Sequence, residues 1–179
     1  MLGEALPIQK GEVAESLKKM KDMQEKINSK NLGDDNPALN LAKKINLNPL
    51  IYFPDGLKAA AIRFKNSLQE NAKIHASIED IIEASHNSIS TWENQSDFKP
   101  ILLQGADDYT KTKERWNIIK EYFNMKKIDY EEVHSVEGNI ISKLVCLIYL
   151  LDYTTIYLAI LSKIDPSPVI AIDFIKSKL

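Results

Sequence analysis

The stretch PILLQGADDYTKTKERWNIIKEYFNMKKIDYEEVHSV, Pro100 to Val136, contains the fold in miniature. Its first six residues are an apolar run closed by Gly105, the length of a strand buried on both faces. Residues 108–126 then place apolar side chains at helical spacing among Lys and Glu. Residues 130–136 return to a short strand. Strand, helix and strand in that order make a crossover unit with parallel strands, and such crossovers are right-handed.

The same alternation continues outward. PLIYF (49–53) reads as a strand and GLKAAAIRFKNSLQ (56–69) as a helix. KIHASI (73–78) reads as the next strand, and the region from Asp80 to Trp92 contains a helix. Beyond Val136 a long helix runs from GNIISKL to Ser162, and after DPSP the segment VIAIDFIKSKL closes the chain as a helix begun at Pro168. Upstream, residues 11–29 place Val13, Leu17, Met20 and Ile27 on one stripe of an amphipathic helix. A polar break follows, and a fresh helix opens with Asn36 or Asp35 as cap and Pro37 in its first turn. Short strands alternating with helices specify an α/β three-layer αβα sandwich with a parallel, Rossmann-like sheet, whose ligands are expected at the carboxyl ends of the strands. The expected division is a linker helix and polar break over 1–35 and one domain over 36–179.

Composition narrows the classes of function. The 179 residues are 44% hydrophobic and 27% charged, with a formal net charge of -2. That balance gives no electrostatic case for nucleic acid or an anionic membrane. The single cysteine, Cys146, excludes an internal disulfide and suits the cytoplasm. MLGEALPIQK lacks a basic segment followed by an apolar one, so no signal peptide is expected. Leu144 to Leu161 is apolar enough to raise a membrane-spanning reading, but it carries Asp152, two Thr and three Tyr. An acid in mid-bilayer costs a few kcal/mol, so the segment reads as a buried helix of a soluble protein.

No GxGxxG, GxxxxGK[ST], GxSxG or HExxH is present. The first strand-to-helix junction, YFPDGL, puts Asp55 where a phosphate would need a helix N-terminus free of anions. What remains is a pair. Glu70 falls at a helix C-terminus, where the macrodipole opposes its ionised form, while Arg63, Lys65 and Lys73 push the other way. From the residues alone it is either a base that can take and return a proton or a solvated acid with Asn71 as cap. His86, in EASHNSIS, is either a proton exchanger near neutral pH or a hydrogen-bonded loop residue. His75 and His134 read as structural.

The order of these segments resembles a family. R-x-K followed by ENAK (Arg63, Lys65, Glu70 to Lys73), the HN pair (His86, Asn87), the LIYL-x-D-Y helix and DPSP with a closing IK look like the C-terminal half of bifunctional phosphoglucose/phosphomannose isomerases. These belong to the phosphoglucose isomerase superfamily and carry two sugar isomerase (SIS) subdomains. The resemblance implies an SIS-type sheet and aldose–ketose isomerisation of glucose 6-phosphate and mannose 6-phosphate to fructose 6-phosphate through a cis-enediolate. It implies Glu70 as the base, His86 as the ring-opening residue supplied by a neighbouring subunit, and Lys176 near the ring oxygen. Ser167, Asn71 and Asn87 are implied as substrate-binding residues, with no metal or organic cofactor. The implied partners are a sugar phosphate, an N-terminal SIS domain or subunit, and a second copy in a homodimer with the active site at its interface; nucleic acid and membrane are not among them. Phe53-Pro54-Asp55 replaces the family's glycine-rich turn, Ser88 replaces an acid after HN, and Gln69 replaces an asparagine before the glutamate. The phosphate-binding Ser/Thr residues and the arginine near the reacting carbons, which belong to the N-terminal subdomain, are not expected in this chain. Without them the chain alone is expected to be inactive. A non-catalytic SIS-type module that senses a sugar phosphate or serves dimerisation is the alternative.

Overall fold

The computed structural model describes residues 9–179; the expectation that MLGEALPIQK carries no signal peptide falls almost wholly outside them. In chain order the elements are α1 (Lys10–Lys26), α2 (Pro37–Lys44), β1 (Asn48–Phe53), a 3-10 turn (Asp55–Leu57), α3 (Lys58–Ser67), a π-helical turn (Leu68–Ala72) and β2 (Ser77–Asp80). There follow α4 (Ile81–Ala84), a 3-10 helix (Ser88–Glu93), β3 (Phe98–Gln104), α5 (Thr110–Lys126), β4 (Glu131–His134), α6 (Ile140–Leu161) and α7 (Ile170–Lys176). The four strands form one parallel sheet in the order β2-β1-β3-β4, with Ile51 level with Ile78 on one side and with Ile101 on the other. Members of the expected βαβ unit, β3 and β4, are neighbours, with Leu103 opposite Val133.

Alternation along the strands divides the core into two layers. Ile51, Phe53, Ile101 and Leu103 face α2, α3 and α6, where Phe64, Leu68, Leu147 and Leu151 are buried. Leu50, Tyr52 and Leu102 face the other way, onto Ile81, Trp92, Trp116 and Phe123 from the 81–93 segment and α5. The first crossover therefore covers one face, and the second and third cover the other. Helix α6 is long and apolar enough to span a bilayer, yet it lies against α1, α2 and α3 and places Leu147, Leu150, Leu151 and Leu158 in the core. Asn36 is the cap of α2, its side chain accepting the amides of Ala38 and Leu39, with Pro37 in the first turn.

Three local expectations change. The strand expected at 73–78 begins at Ser77, because residues 68–73 complete a π turn and end it with Lys73 in the left-handed region at φ 57°. His75 therefore lies exposed in a connection. The helix within 80–92 is split into one turn of α-helix and a 3-10 segment. On α1, Ile27 of the expected apolar stripe is buried in the core and Met20 is half-buried, but Val13 and Leu17, 43% and 62% exposed, do not face the core. A small polar side chain does: Ser16 lies 3.0 Å from Ser142 and bonds Asn139 of the α6 cap, which allows close approach of the two helices.

Lys127 ends α5 at φ 58°, a conformation in which a Cβ is crowded. Lys127→Gly is expected to stabilise the fold by about 0.5–1 kcal/mol, a rise of about 1–4 °C in melting temperature by calorimetry. An unchanged or lower Tm would show that no strain resides there.

Candidate active site

Glu70 sits in the middle of the π turn that extends α3. Such a turn holds one residue too many for a regular helix, so it needs outside support. On its N-terminal flank, Arg63 donates to Asp152 of α6 through Nε at 3.1 and 3.2 Å and through Nη2 at 3.0 Å, and Ser67 Oγ donates to the same carboxylate at 2.8 Å. On the C-terminal flank, Asn71 Nδ2 donates to Thr155 Oγ1 at 2.8 Å. The Lys73 ammonium then bridges two carbonyl oxygens, that of Glu70 at 2.5 Å and that of Pro168 at 2.7 Å. Asp152 holds the Arg63 guanidinium above its ordinary pKa, with Glu70 adding to the effect.

This support leaves an open groove of about 520 Å³ beside Glu70. Asn66, Gln69, Glu70 and Lys73 form one wall and Pro168–Ile172, where α7 begins, form the other. Lys176 lies further along α7, exposed and outside the groove lining. Ser167 is in the DPSP turn, its amide donating to Asp165 at 2.9 Å, and that bond helps keep the Asp165 carboxyl below its ordinary range. Asn71 is directed to α6 and does not line the groove.

His86 is elsewhere. Helix α3 runs antiparallel to the strands, so its end and Glu70 lie at the amino edge of the sheet. That differs from the expected carboxyl-edge location, because Glu70 is carried by the far end of a crossover helix. His86 follows β2 and α4 directly, at the carboxyl edge and in the opposite layer. It is exposed, its amide bonded to Glu83 O at 2.9 Å. At about 3.3 Å per strand residue, a sheet of this length separates the two by roughly 15–20 Å. One copy of the chain does not bring Glu70 and His86 to one ligand.

The His86 loop is held firmly. Ser88 Oγ donates to Glu79 near the end of β2, and Trp92 Nε1 donates to the buried Tyr52 hydroxyl at 2.8 Å. Asn87 caps the 3-10 helix, accepting the Ser88 amide at 2.5 Å. Acids crowd the carboxyl edge: Asp55, Asp80 and Asp107, the last paired with Lys143 at 3.0 Å and lowered chiefly by that bond. Among the described residues no group of three or more His, Cys, Asp or Glu could hold a metal ion.

Residues 34–179 match the family model described as the bacterial phospho-glucose isomerase C-terminal SIS domain. The chain belongs to this SIS-domain family. A bifunctional phosphoglucose/phosphomannose isomerase of Caldicellulosiruptor bescii is 29% identical over 174 residues, which cover 94% of this chain and 51% of that protein. One from Aquifex aeolicus is 29% identical over 138 residues, 73% of this chain and 42% of the relative. The SIS domain thus spans about half the length of the curated relatives it matches. Among solved structures, a glucose-6-phosphate isomerase like protein of Thermus thermophilus superimposes with TM-score 0.65 at 17% identity, over 91% of this chain and 56% of that one. Glucosamine-6-phosphate deaminase of Thermotoga maritima gives 0.58 at 9% identity, over 92% and 49%. The family match and the curated relatives support a sugar-phosphate isomerase family, and the solved structures show the SIS fold.

Sequence reasoning missed Asp152 and Thr155 as parts of this site. A lone acid inside an apolar helix was the available signal, since such a carboxylate needs a partner when the helix is buried.

Burial pushes the Tyr52 hydroxyl up to about 12. The folded chain keeps that proton where the unfolded chain releases it near pH 10, so stability falls as pH rises from 10 to 12. Denaturation midpoints at pH 9, 10 and 11 are expected to decline less steeply for Tyr52→Phe than for the parent. Equal slopes would exclude Tyr52 as the source.

Proposed function

We propose that this chain is the catalytic-base-bearing half of an aldose–ketose isomerase acting on glucose 6-phosphate and mannose 6-phosphate. The observation that carries the reading is Glu70, on a turn braced from three sides, at the wall of an open groove. The relatives' names supply the substrate class. In the reaction, the Glu70 carboxylate takes the C2 proton of the open-chain aldose, and the C2–H electrons form a C1–C2 double bond as negative charge moves onto O1. The proton on O2 is then released and O1 is protonated. Collapse of the enediolate makes the C2 carbonyl as Glu70 returns its proton to C1. One carboxyl group serves both directions, and a separate acid/base opens the ring.

His86 fills that second role only across an interface. Its position at the opposite edge of the sheet supports the arrangement in which the histidine comes from a second copy, with Lys176 of α7 closing the site from the Glu70 side. The N-terminal half would supply the phosphate-binding groups, and its contacts would provide much of the positioning energy. A non-catalytic role, in sugar-phosphate sensing or in dimerisation, is favoured by one feature: the acids at the carboxyl edge make no phosphate cradle in this half.

In the complete protein, Glu70→Gln is expected to lower fructose 6-phosphate formation about 10²–10⁴-fold with the fold intact. Hexose phosphate binding without turnover in the parent would decide for the non-catalytic role. Mixing inactive Glu70→Gln and His86→Ala proteins under subunit exchange is expected to restore about a quarter of the parent activity, since half of randomly paired dimers hold one intact site of two. No recovery, with exchange verified, would exclude a site shared between copies.

A further inference from the structure

We infer that Thr155, acting through Asn71, is a positioning residue for the Glu70 carboxylate; the inference rests on the reading of Glu70 as the base. Two positions flank Glu70, Ser67 at the end of α3, three residues before it, and Asn71 in the π turn, one after. Both are bonded to α6, at Asp152 and Thr155, which lie one turn apart on the same face. The helix is therefore a ruler against which the widened turn is fixed at two points.

The Thr155 contact has a defined direction. Its hydroxyl proton goes to the Asp152 carbonyl at 2.8 Å, so the oxygen presents a lone pair to the Asn71 amide. Thr155 is fully buried, which keeps water from competing for that lone pair. Asn71 consequently has one amide N–H committed to the protein interior, one residue from a side chain that opens on the groove. The resemblance to known isomerases implied sugar contact for Asn71; the geometry points to a role exerted through the adjacent backbone. A misplacement of about 1 Å at a reacting group costs on the order of 10²-fold in rate, so a fixed turn matters more for turnover than for affinity.

The test is steady-state isomerisation of the hexose phosphates by the complete protein. Thr155→Val removes the hydroxyl at nearly constant shape and is expected to lower kcat about 10–100-fold with KM within about twofold. Thr155→Ser keeps the hydroxyl and is expected to restore kcat to within about threefold of the parent. Asn71→Ala is expected to match Thr155→Val, and the double variant to lose no more than either single one, the behaviour of two groups acting as a unit. Parent kcat in Thr155→Val, or a raised KM with unchanged kcat in Asn71→Ala, would overturn the positioning role. Should Thr155→Val fail to fold, the kcat-against-KM split of Asn71→Ala decides alone. Activity retained by Glu70→Gln would sink the base assignment itself and the positioning role with it. Loss in Glu70→Gln beside parent kcat in both Thr155→Val and Asn71→Ala would sink only the positioning role.

Discussion

The structure around Glu70 depends on where Asp152 sits. A carboxylate placed in the most apolar helix of the chain has to find partners, and here it takes a bidentate guanidinium and a hydroxyl, both from α3. Arg63 is 58% exposed, so the pair contributes only on the order of 1 kcal/mol to stability. Its consequence is register. It fixes α3 along α6 at one level, and the residues that follow must then fit five positions into the next turn. Glu70 faces the groove because of that constraint, together with the bonds at Asn71 and Lys73.

The sheet order has a second consequence. The crossover from β1 to β2 and the one from β2 to β3 cover opposite faces, and because α3 runs against the strands its end and the loop after β2 lie at opposite edges. Any chemistry using both Glu70 and His86 has to join two molecules. The same topology leaves α7 with no buried residue and with Ile170, Phe174 and Ile175 exposed. Membership of a family whose curated relatives are about twice as long fits a domain in which the groove beside Glu70 is open.

Much of the architecture was legible in the sequence because it rests on periodicity. The strand read at 100–105, the helix read over 108–126 and the cap read as Asn36 or Asp35 followed from local patterns, and the structure has Phe98–Gln104, Thr110–Lys126 and Asn36 in those places. Local patterns fail where tertiary contacts choose between options. Nothing in KIHASI signals that Lys73 closes a widened turn and delays the strand to Ser77. The stripe Val13–Leu17 has proper helical spacing, yet Ser16 faces α6 because a small side chain lets two helices approach. The site divides in the same way. Glu70 stood out through the motif it shares with known isomerases, whereas its brace at Thr155 is 85 positions from it and invisible to spacing. The distance from Glu70 to His86 is a property of topology, so sixteen residues of separation in sequence carried no information about it.

A structure of the complete protein bound to an open-chain six-carbon sugar phosphate tests the central claim most directly. The Glu70 carboxylate should lie within about 3–3.5 Å of C1 and C2 of the sugar, with Asn71 still bonded to Thr155. A sugar seated at the carboxyl edge among Asp55, Asp80 and Asp107, with Glu70 facing solvent, would contradict it.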